Sequence, residues 1–560
     1  MSSTGSPVTV WYTLVDSTTG KRFKRATVDC ISLDASIRFV AQFRHAVKQK
    51  NAEIMTGIVP SQLLVYKNTE AFDTRQETED GHDGYLDPRK SLDGLGSSTD
   101  MLIVAVPSSD DEVIEPSTKK NRDSETENVN VLKYLKQHLK NPPCLFAKHS
   151  GEQSWVRFLQ KHPNKIITHR NPSDPSSLPV CLLNKAFNDF VHGLKHSKIT
   201  SKDSEFIGNL VKSMCVCFQQ EKERKIKFIS LFSEYTGVHL KSTSSASNDS
   251  TTDGSPSFPN GALYCNLEVK NEKGCGSGDP CMQSIAYYIK SSPEHDTGST
   301  QHPCFVLELY GTAFSVYGIV NTKTHVICDP LSPTYHLLCN QEVATLTQIT
   351  MLFASLRDSL KSLYDHKPQI PISSFPFLSS FTALNTNMNF EIQYKEKIKR
   401  FLFSAVIPNT NKDVIVKFCS SYNQDVHAYC HSCGFAPKLI AYISDLAYYH
   451  VVVMEKLNLR SLTRDDISNP VIRSEIENIA KKLKEKDYVH GDLRDCNIHY
   501  DTERCKVVLL DFDWSGCHNV KLYPPFMNPS LPWPCGASTG EPLLQKHDDI
   551  WLDRLLNSSS

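Results

Sequence analysis

The sequence predicts a multidomain α+β protein, and three observations carry that prediction. A chain of 560 residues has room for about three domains. Residues 8–107 follow a strand–strand–helix–strand–strand order, and polar stretches at 109–130 and 242–260 interrupt the hydrophobic patterning beyond them. Near the end, Asp492 and Asn497 lie five apart in one loop, and Asp511 follows fourteen residues later, after the apolar run 507–510. Phosphoryl transfer from ATP needs such a set: a carboxylate to orient and deprotonate an acceptor hydroxyl, and an amide plus a second carboxylate to hold Mg²⁺ on the phosphates.

Composition narrows the functional classes. The chain carries 61 basic and 62 acidic residues, so no global charge draws it to nucleic acid or membrane. Its hydrophobic fraction of 39% leaves room for polar linkers, and no run of 18 apolar residues spans a bilayer. Residues 1–16 lack a basic segment followed by an apolar one, so no standard secretory signal is visible. Among 18 cysteines the one C-x-x-C is Cys430/Cys433, with His427 and His431 nearby. No second ligand pair stands at comparable spacing, so these are expected to be ordinary thiols on a helix in a reducing compartment.

Along the chain, 8–15 reads as a strand, 17–20 as a turn, 25–31 as a second strand, and Asp34 as the cap of a helix carrying Ile37, Val40, Ala41, Phe43 and Val47. Strands at 63–66 and 101–106 complete a small β-grasp, ubiquitin-like pattern over 1–108. Residues 109–130 form a charged linker; its cluster Lys119, Lys120 and Arg122 is either a solvated run or a nuclear-localisation signal. Helical periodicity covers 131–139, 154–160, 183–194 and 206–232, and the basic run 222–227 suits an exposed helix face. After the loop 242–260, which holds Asp253, a strand runs into Glu268 and Lys270, and Gln283 and Tyr287 follow on a helical segment. Glu-x-Lys on a strand also occurs simply as an exposed charged face. Asp329 to Leu331 reads as a structural turn.

These motifs resemble three known families. His490 to Asn497 with Asp511-Phe512 resembles the catalytic and metal loops of protein kinases. The resemblance makes 385–560 a two-lobed kinase-like domain with a short C-lobe, Asp492 the base, and Asn497 and Asp511 the Mg²⁺ ligands. Lys417, ending the strand 414–416, would clamp the ATP phosphates, with Asp425 as its acidic partner, while Glu455 and Leu457 of the hinge would hold adenine. His547 to Trp551 resembles the start of the helix whose Asp braces the catalytic loop. Departures are a glycine-free flap at 399–408, Gly491 where arginine is usual, and Asp513 where D-F-G has glycine. Aminoglycoside- and choline-type kinases share the H-G-D-L form.

Within 131–370, Asp253, Glu268, Lys270, Gln283 and Tyr287 resemble the PD-(D/E)XK nucleases, of restriction-endonuclease-like fold. That implies Asp253 and Glu268 sharing Mg²⁺ or Mn²⁺, Lys270 positioning the nucleophile, and Gln283 and Tyr287 bracing the site or DNA. Finally, Trp11 to Val15, Ser61 to Lys67, Ala71 to Asp73 and Leu95 to Pro107 resemble the N-terminal ubiquitin-like module of Crinkler-type effectors. That resemblance implies secretion into a host cell, action in its nucleus or cytoplasm, and host proteins as phosphorylation substrates. A nuclease toxin with a regulatory kinase-like domain, or a binding effector with both sites inactive, remains the alternative.

Overall fold

A computed structural model describes residues 9–16, 23, 29–32, 39–51, 55, 60, 63–73, 77–78, 81–82, 85–87, 90–92, 95–97 and 99–106 of a first compact unit, Met1–Glu125. Of the second, Thr126–Ser560, it describes 131–138, 165–168, 177–241, 252–272, 279–293, 300–322, 324–365 and 371–557. The linker 109–130, with its basic cluster, and the segment 154–160 expected to be helical lie outside the described residues.

The first unit builds a mixed sheet from β1 (Thr9–Asp16), β2 (Asp29–Ser32), β3 (Leu64–Tyr66) and β4 (Leu102–Val106), in the order β2-β1-β4-β3. First and last strands run parallel; β2 and β3 pair antiparallel on either side. Helix α1 (Val40–Lys50) buries Val40, Phe43 and Val47 against Val10, Tyr12, Leu14 and Val104, as period-2 strands and a 3.6-period helix require. Its N-cap is Phe39, not Asp34: Phe39 N–H donates to Gln42 at 3.0 Å, and the helix begins beyond the expected cap.

In the second unit, β5 (Ile166–Thr168), β6 (Cys265–Lys270), β7 (Cys304–Tyr310), β8 (Ala313–Asn321) and β9 (Val326–Pro330) form a sheet in the order β5-β9-β8-β7-β6. Helices α2 (Lys185–His196), α3 (Ser201–Met214), α4 (Glu221–Thr236), α5 (Pro280–Lys290) and α6 (Val343–Asp365) surround it. The stretch 206–232 is two helices, not one. Arg224 explains the break. It is fully buried, and its guanidinium donates to Met214 O at 3.0 Å, Gly311 O at 2.6 Å and Glu272 at 3.0 Å. It thereby satisfies a carbonyl at the end of α3 that no helical N–H reaches. The run 222–227 is thus exposed at Lys222, Glu223, Ile226 and Lys227 but not at Arg224. Asp329 and Pro330 are not in a turn but end β9, paired with Gly318 and Tyr317 of β8, and the Asp329 carboxylate accepts the Val180 N–H at 2.8 Å.

A second sheet follows: β10 (Gln393–Lys399), β11 (Leu402–Ile407), β12 (Lys412–Cys419), β13 (Leu439–Leu446) and β14 (Tyr449–Glu455), ordered β10-β11-β12-β14-β13 and antiparallel throughout. Helix α7 (Gln424–Ser432) crosses between β12 and β13. One face of this sheet has a small cluster of its own, Cys419, Leu439 and Val452, and the other joins a larger core. Phe403, Ala405, Val414, Val416, Val451 and Val453 join one continuous apolar cluster with Phe187, Phe305 and Phe353 of the preceding sheet and helices. The lower lobe packs around α8 (Pro470–Glu485), β15 (Leu459–Ser461), β16 (Ile498–Asp501), β17 (Lys506–Leu509) and α9 (Gln545–Asn557), and its core takes in Val426 and Cys430 of α7.

Arg224→Leu is expected to destabilise the second unit by about 2–4 kcal/mol, because it strands buried carbonyls at Met214 and Gly311. Denaturant unfolding measures it; a change below about 0.5 kcal/mol, the level of an ordinary surface substitution, would show that Arg224 does not close α3.

Candidate functional site

Between the second sheet and the lower lobe lies a cleft of about 890 Å³. Lys417, Met454, Glu455, Lys456 and Leu457 line it from above, and Asn497, Leu510, Asp511 and Asp513 from below. That volume suits a nucleotide-sized ligand.

The lower wall is set by backbone bracing. Asp548 on α9 is 4% exposed, and its two oxygens accept the N–H groups of His490 at 2.7 Å and Gly491 at 3.0 Å. Burial lifts its carboxyl to about 7, against the pull of those two donors. Gly491 takes φ +83°, and a Cβ there would stand 2.6 Å from Leu543 Cδ2, so the position accepts only glycine without strain. The loop then presents Asp492. Asn497 Nδ2 donates to Asp492 O at 2.8 Å and Oδ2 at 3.0 Å, which leaves the Asn497 Oδ1 as its acceptor end. Arg494 grips the same carboxylate with two donors, Nη2 to Oδ2 at 2.8 Å and Nε to Oδ1.

Above Asp492, Lys417 Nζ donates to Asp511 Oδ1 and Asp513 Oδ1, both at 2.6 Å. Burial opposes the Lys417 charge, but Asp513 and Asp511 outweigh it and hold its pKa above the ordinary value. Burial also lifts Asp513 to about 7, with Asp511 adding, while Lys417 keeps Asp511 below the usual carboxylate value. Asp511 has φ +69°, a left-handed conformation that is uncommon outside glycine and marks a position under constraint. Phe512, buried next to it, stacks on His427 at 4.6 Å and meets the edge of His490 at 5.5 Å.

Of the residues singled out in the sequence, Lys417, Asn497, Asp511, Glu455 and Leu457 therefore line one cleft, and Asp492 is joined to it through Asn497. Asp425 is the exception. It sits exposed in the first turn of α7, and Lys417 pairs instead with Asp511 and Asp513. The short arm of Asp at the start of a helix does not reach across to β12. The Glu455 side chain is committed to structure: its carboxylate takes Lys438 N–H at 2.5 Å and the Arg504 fork at 2.8 and 3.2 Å, and its own N–H donates to Lys438 O at 3.0 Å. Arg494 was not singled out from the sequence, although an arginine two residues beyond a candidate base is a usable signal. The turn at Arg400 and Phe401, between β10 and β11, replaces a glycine flap, and Lys399 and Arg400 bring cationic side chains to the cleft rim.

A second group of acids meets on the first sheet of this unit. Asp253 accepts Lys225 Nζ at 3.0 Å and the Val269 N–H at 2.9 Å, which lashes its loop to β6 beside Glu268 and Lys270. Glu268 is 3% exposed, and burial raises its carboxyl well above the usual range, with Asp253 adding. Among the described residues its Oε1 has no hydrogen-bond partner. Glu221, at the start of α4, faces the same charges; burial raises it and Lys270 pulls it back. Neither Glu221 nor Lys225 was legible as part of a site, because both sit in a helix that reads as charged surface. Gln283 and Tyr287 are buried on α5.

A scan against protein-family models gives no match, and no curated protein matches the chain. Among solved structures the chain is similar to the Cydia pomonella granulovirus kinase PK-1, with 16% identity, TM-score 0.24, and 30% of this chain covering 69% of that one. The BubR1 kinase domain gives 16% identity and TM-score 0.23 over 31% and 63% of the two chains, and vaccinia related kinase 3 gives 15% and 0.25 over 33% and 71%.

Two measurements check this geometry. Gly491→Ala is expected to cost about 1–3 kcal/mol, since it forces a Cβ into a left-handed position against buried Leu543; unchanged unfolding would contradict the tight fit. His427 accepts from Tyr422 O–H at 2.6 Å and donates to Pro437 O at 2.8 Å, and burial lowers its pKa to about 4 from 6.5. Its folded value being the lower, the unfolded chain binds the proton first. Stability contributed by neutral His427 is complete above about 6.5 and is lost as pH falls towards 4. Urea unfolding across that window should fall more steeply in the wild type than in His427→Gln.

Proposed function

We propose that the second unit is a Mg²⁺- and ATP-dependent phosphotransferase. The observation that carries this reading is that Lys417 Nζ is 2.6 Å from both Asp511 and Asp513, that these three line one cleft with Asn497, and that Asn497 Nδ2 holds Asp492 Oδ2 at 3.0 Å. The donor set fits a hard cation: the oxygens of Asp511 and Asp513 and the Asn497 Oδ1 are the ligand types Mg²⁺ takes. Bound there, Mg²⁺ would supply charge neutralisation on the phosphates.

The chain's own residues account for the remaining roles. Lys417, freed from one carboxylate as a cation enters, donates to a phosphate oxygen. Adenine lies against Met454 to Leu457, with main-chain groups at Glu455 and Leu457 as its partners. Asp492 accepts the proton of the acceptor hydroxyl. Arg494, two residues on, holds the Asp492 carboxylate in place and offers a cation to the transferring phosphoryl group. The finer reading is transfer to Ser/Thr of host proteins by a Crinkler-type effector. It rests on the N-terminal motifs and on the β2-β1-β4-β3 sheet, whose parallel first and last strands suit a ubiquitin-like module.

A second activity has an observation of its own. The unpartnered, buried Glu268 Oε1 beside Asp253 and Lys270 supports a Mg²⁺- or Mn²⁺-dependent nuclease acting on DNA.

Two assays test the pair. Purified protein with Mg²⁺ and ATP should label itself or a generic protein, and Asp492→Asn should cut that transfer by about 10²–10⁴-fold while retaining ATP binding. Transfer undiminished in Asp492→Asn would overturn the phosphotransferase reading; no thermal shift at millimolar ATP would favour a binding protein, since saturation at 100 times Kd stabilises by about 2.7 kcal/mol. Metal-dependent nicking of plasmid DNA should disappear in Lys270→Ala, and intact DNA with wild type in either metal would end the nuclease reading.

A further inference from the structure

A group of ligating side chains outside both sites sits where the two sheets of the second unit meet. His192 and His196 lie one turn apart on α2, so both imidazoles leave the same helix face. Asp445, near the end of β13, reaches towards them from the nucleotide-cleft sheet. Its Oδ2 is 2.6 Å from His196 Nε2 and 3.8 Å from His192 Nε2, and the two rings are 4.4 Å apart between centroids. Each of the three side chains is roughly half-exposed, so solvent ions reach them.

We propose that His192, His196 and Asp445 bind one divalent transition-metal ion of the Zn²⁺ class. The chemistry favours that class. Two imidazole nitrogens and one carboxylate oxygen suit Zn²⁺ far better than Mg²⁺ or Ca²⁺, which take oxygen ligands. The spacing favours it too. Tetrahedral Zn²⁺ at about 2.0–2.2 Å from N and O ligands separates those atoms by about 3.4 Å. The three ligand atoms already lie within 4.8 Å of one another, with 2.6 and 3.8 Å bracketing the target, so small rotations complete the set. Three protein ligands leave the fourth position to water.

The metal joins two elements that also meet through the shared apolar cluster and, close to the site, through Lys195 Nζ to Ala447 O at 3.4 Å. Lys195, the neighbouring cation on α2, is directed over the Tyr448 ring at 5.5 Å and away from the ligand atoms. From Asp445 the chain turns into β14, which leads to Glu455 and the cleft. Metal binding thus pins the nucleotide-cleft sheet to α2.

The discriminating variant is His192→Ala, because it leaves the 2.6 Å His196–Asp445 hydrogen bond in place. Zn²⁺ titration of the full chain at neutral pH, with cysteines alkylated, should show one equivalent that is weakened at least about tenfold in His192→Ala, since even outer partners of a bound metal are worth 10–100-fold. Asp445→Asn should lose the same equivalent, and Co²⁺ in wild type should give the visible absorption of a tetrahedral N/O site that both variants lack. Equal Zn²⁺ stoichiometry and affinity in wild type and His192→Ala would overturn the proposal and leave a hydrogen-bonded His196–Asp445 pair. Matching metal-free unfolding curves for wild type and His192→Ala guard the comparison against misfolding.

Discussion

The lower half of the cleft depends on one buried carboxylate. Asp548 gathers two consecutive backbone N–H groups, from His490 and Gly491, and thereby fixes the direction in which Asp492 leaves the loop. Every further contact at the floor follows from that placement. Asn497 folds back onto Asp492, Arg494 forks onto it, and His490 Nε2 meets Leu510 O at 3.0 Å just before Asp511 turns into its left-handed conformation. Water would otherwise compete for those N–H groups, so the carboxylate acts as an internal acceptor where solvent is excluded.

Much of this was legible in the sequence. Fixed spacings along one loop survive folding, so Asp492, Asn497 and Asp511 could be found together without knowing the fold. Strand and helix periodicities in residues 8–107 placed four strands and a helix to within a few residues. What failed was anything decided by approach across space. Asp425 is close to Lys417 in sequence, yet Asp511 and Asp513, some ninety residues away, are its partners. Arg224 and Lys225 belong to a run that looks like solvated charge. One is fully buried and the other holds Asp253, because helix faces are assigned by what packs against them and not by composition.

The two candidate sites differ in how their acids are held. At the cleft, two carboxylates share one ammonium, at 2.6 Å each, so the acids are held by direct ion pairs. On β6, burial keeps Glu268 well above its ordinary pKa, with Lys225 already engaged by Asp253. The first is a set of paired charges; the second holds its carboxyl in an environment that disfavours charge.

The shared apolar cluster has a mechanical consequence. The sheet over the cleft is continuous in packing with the sheet and helices before it, and Arg400 at the turn between β10 and β11 donates to Ser177 O at 2.9 Å on that neighbouring body. The lower lobe adds two further cores, one around Ile476, Ile479 and Trp551 that takes in Val426 and Cys430 of α7, and one around Tyr523 and Leu543. Helix α7 is strung between β12 and β13 by the chain, yet its buried face packs with the lower lobe. The roof and floor of the cleft are therefore joined through one short helix, and a cavity made under Val426 would be felt on both walls.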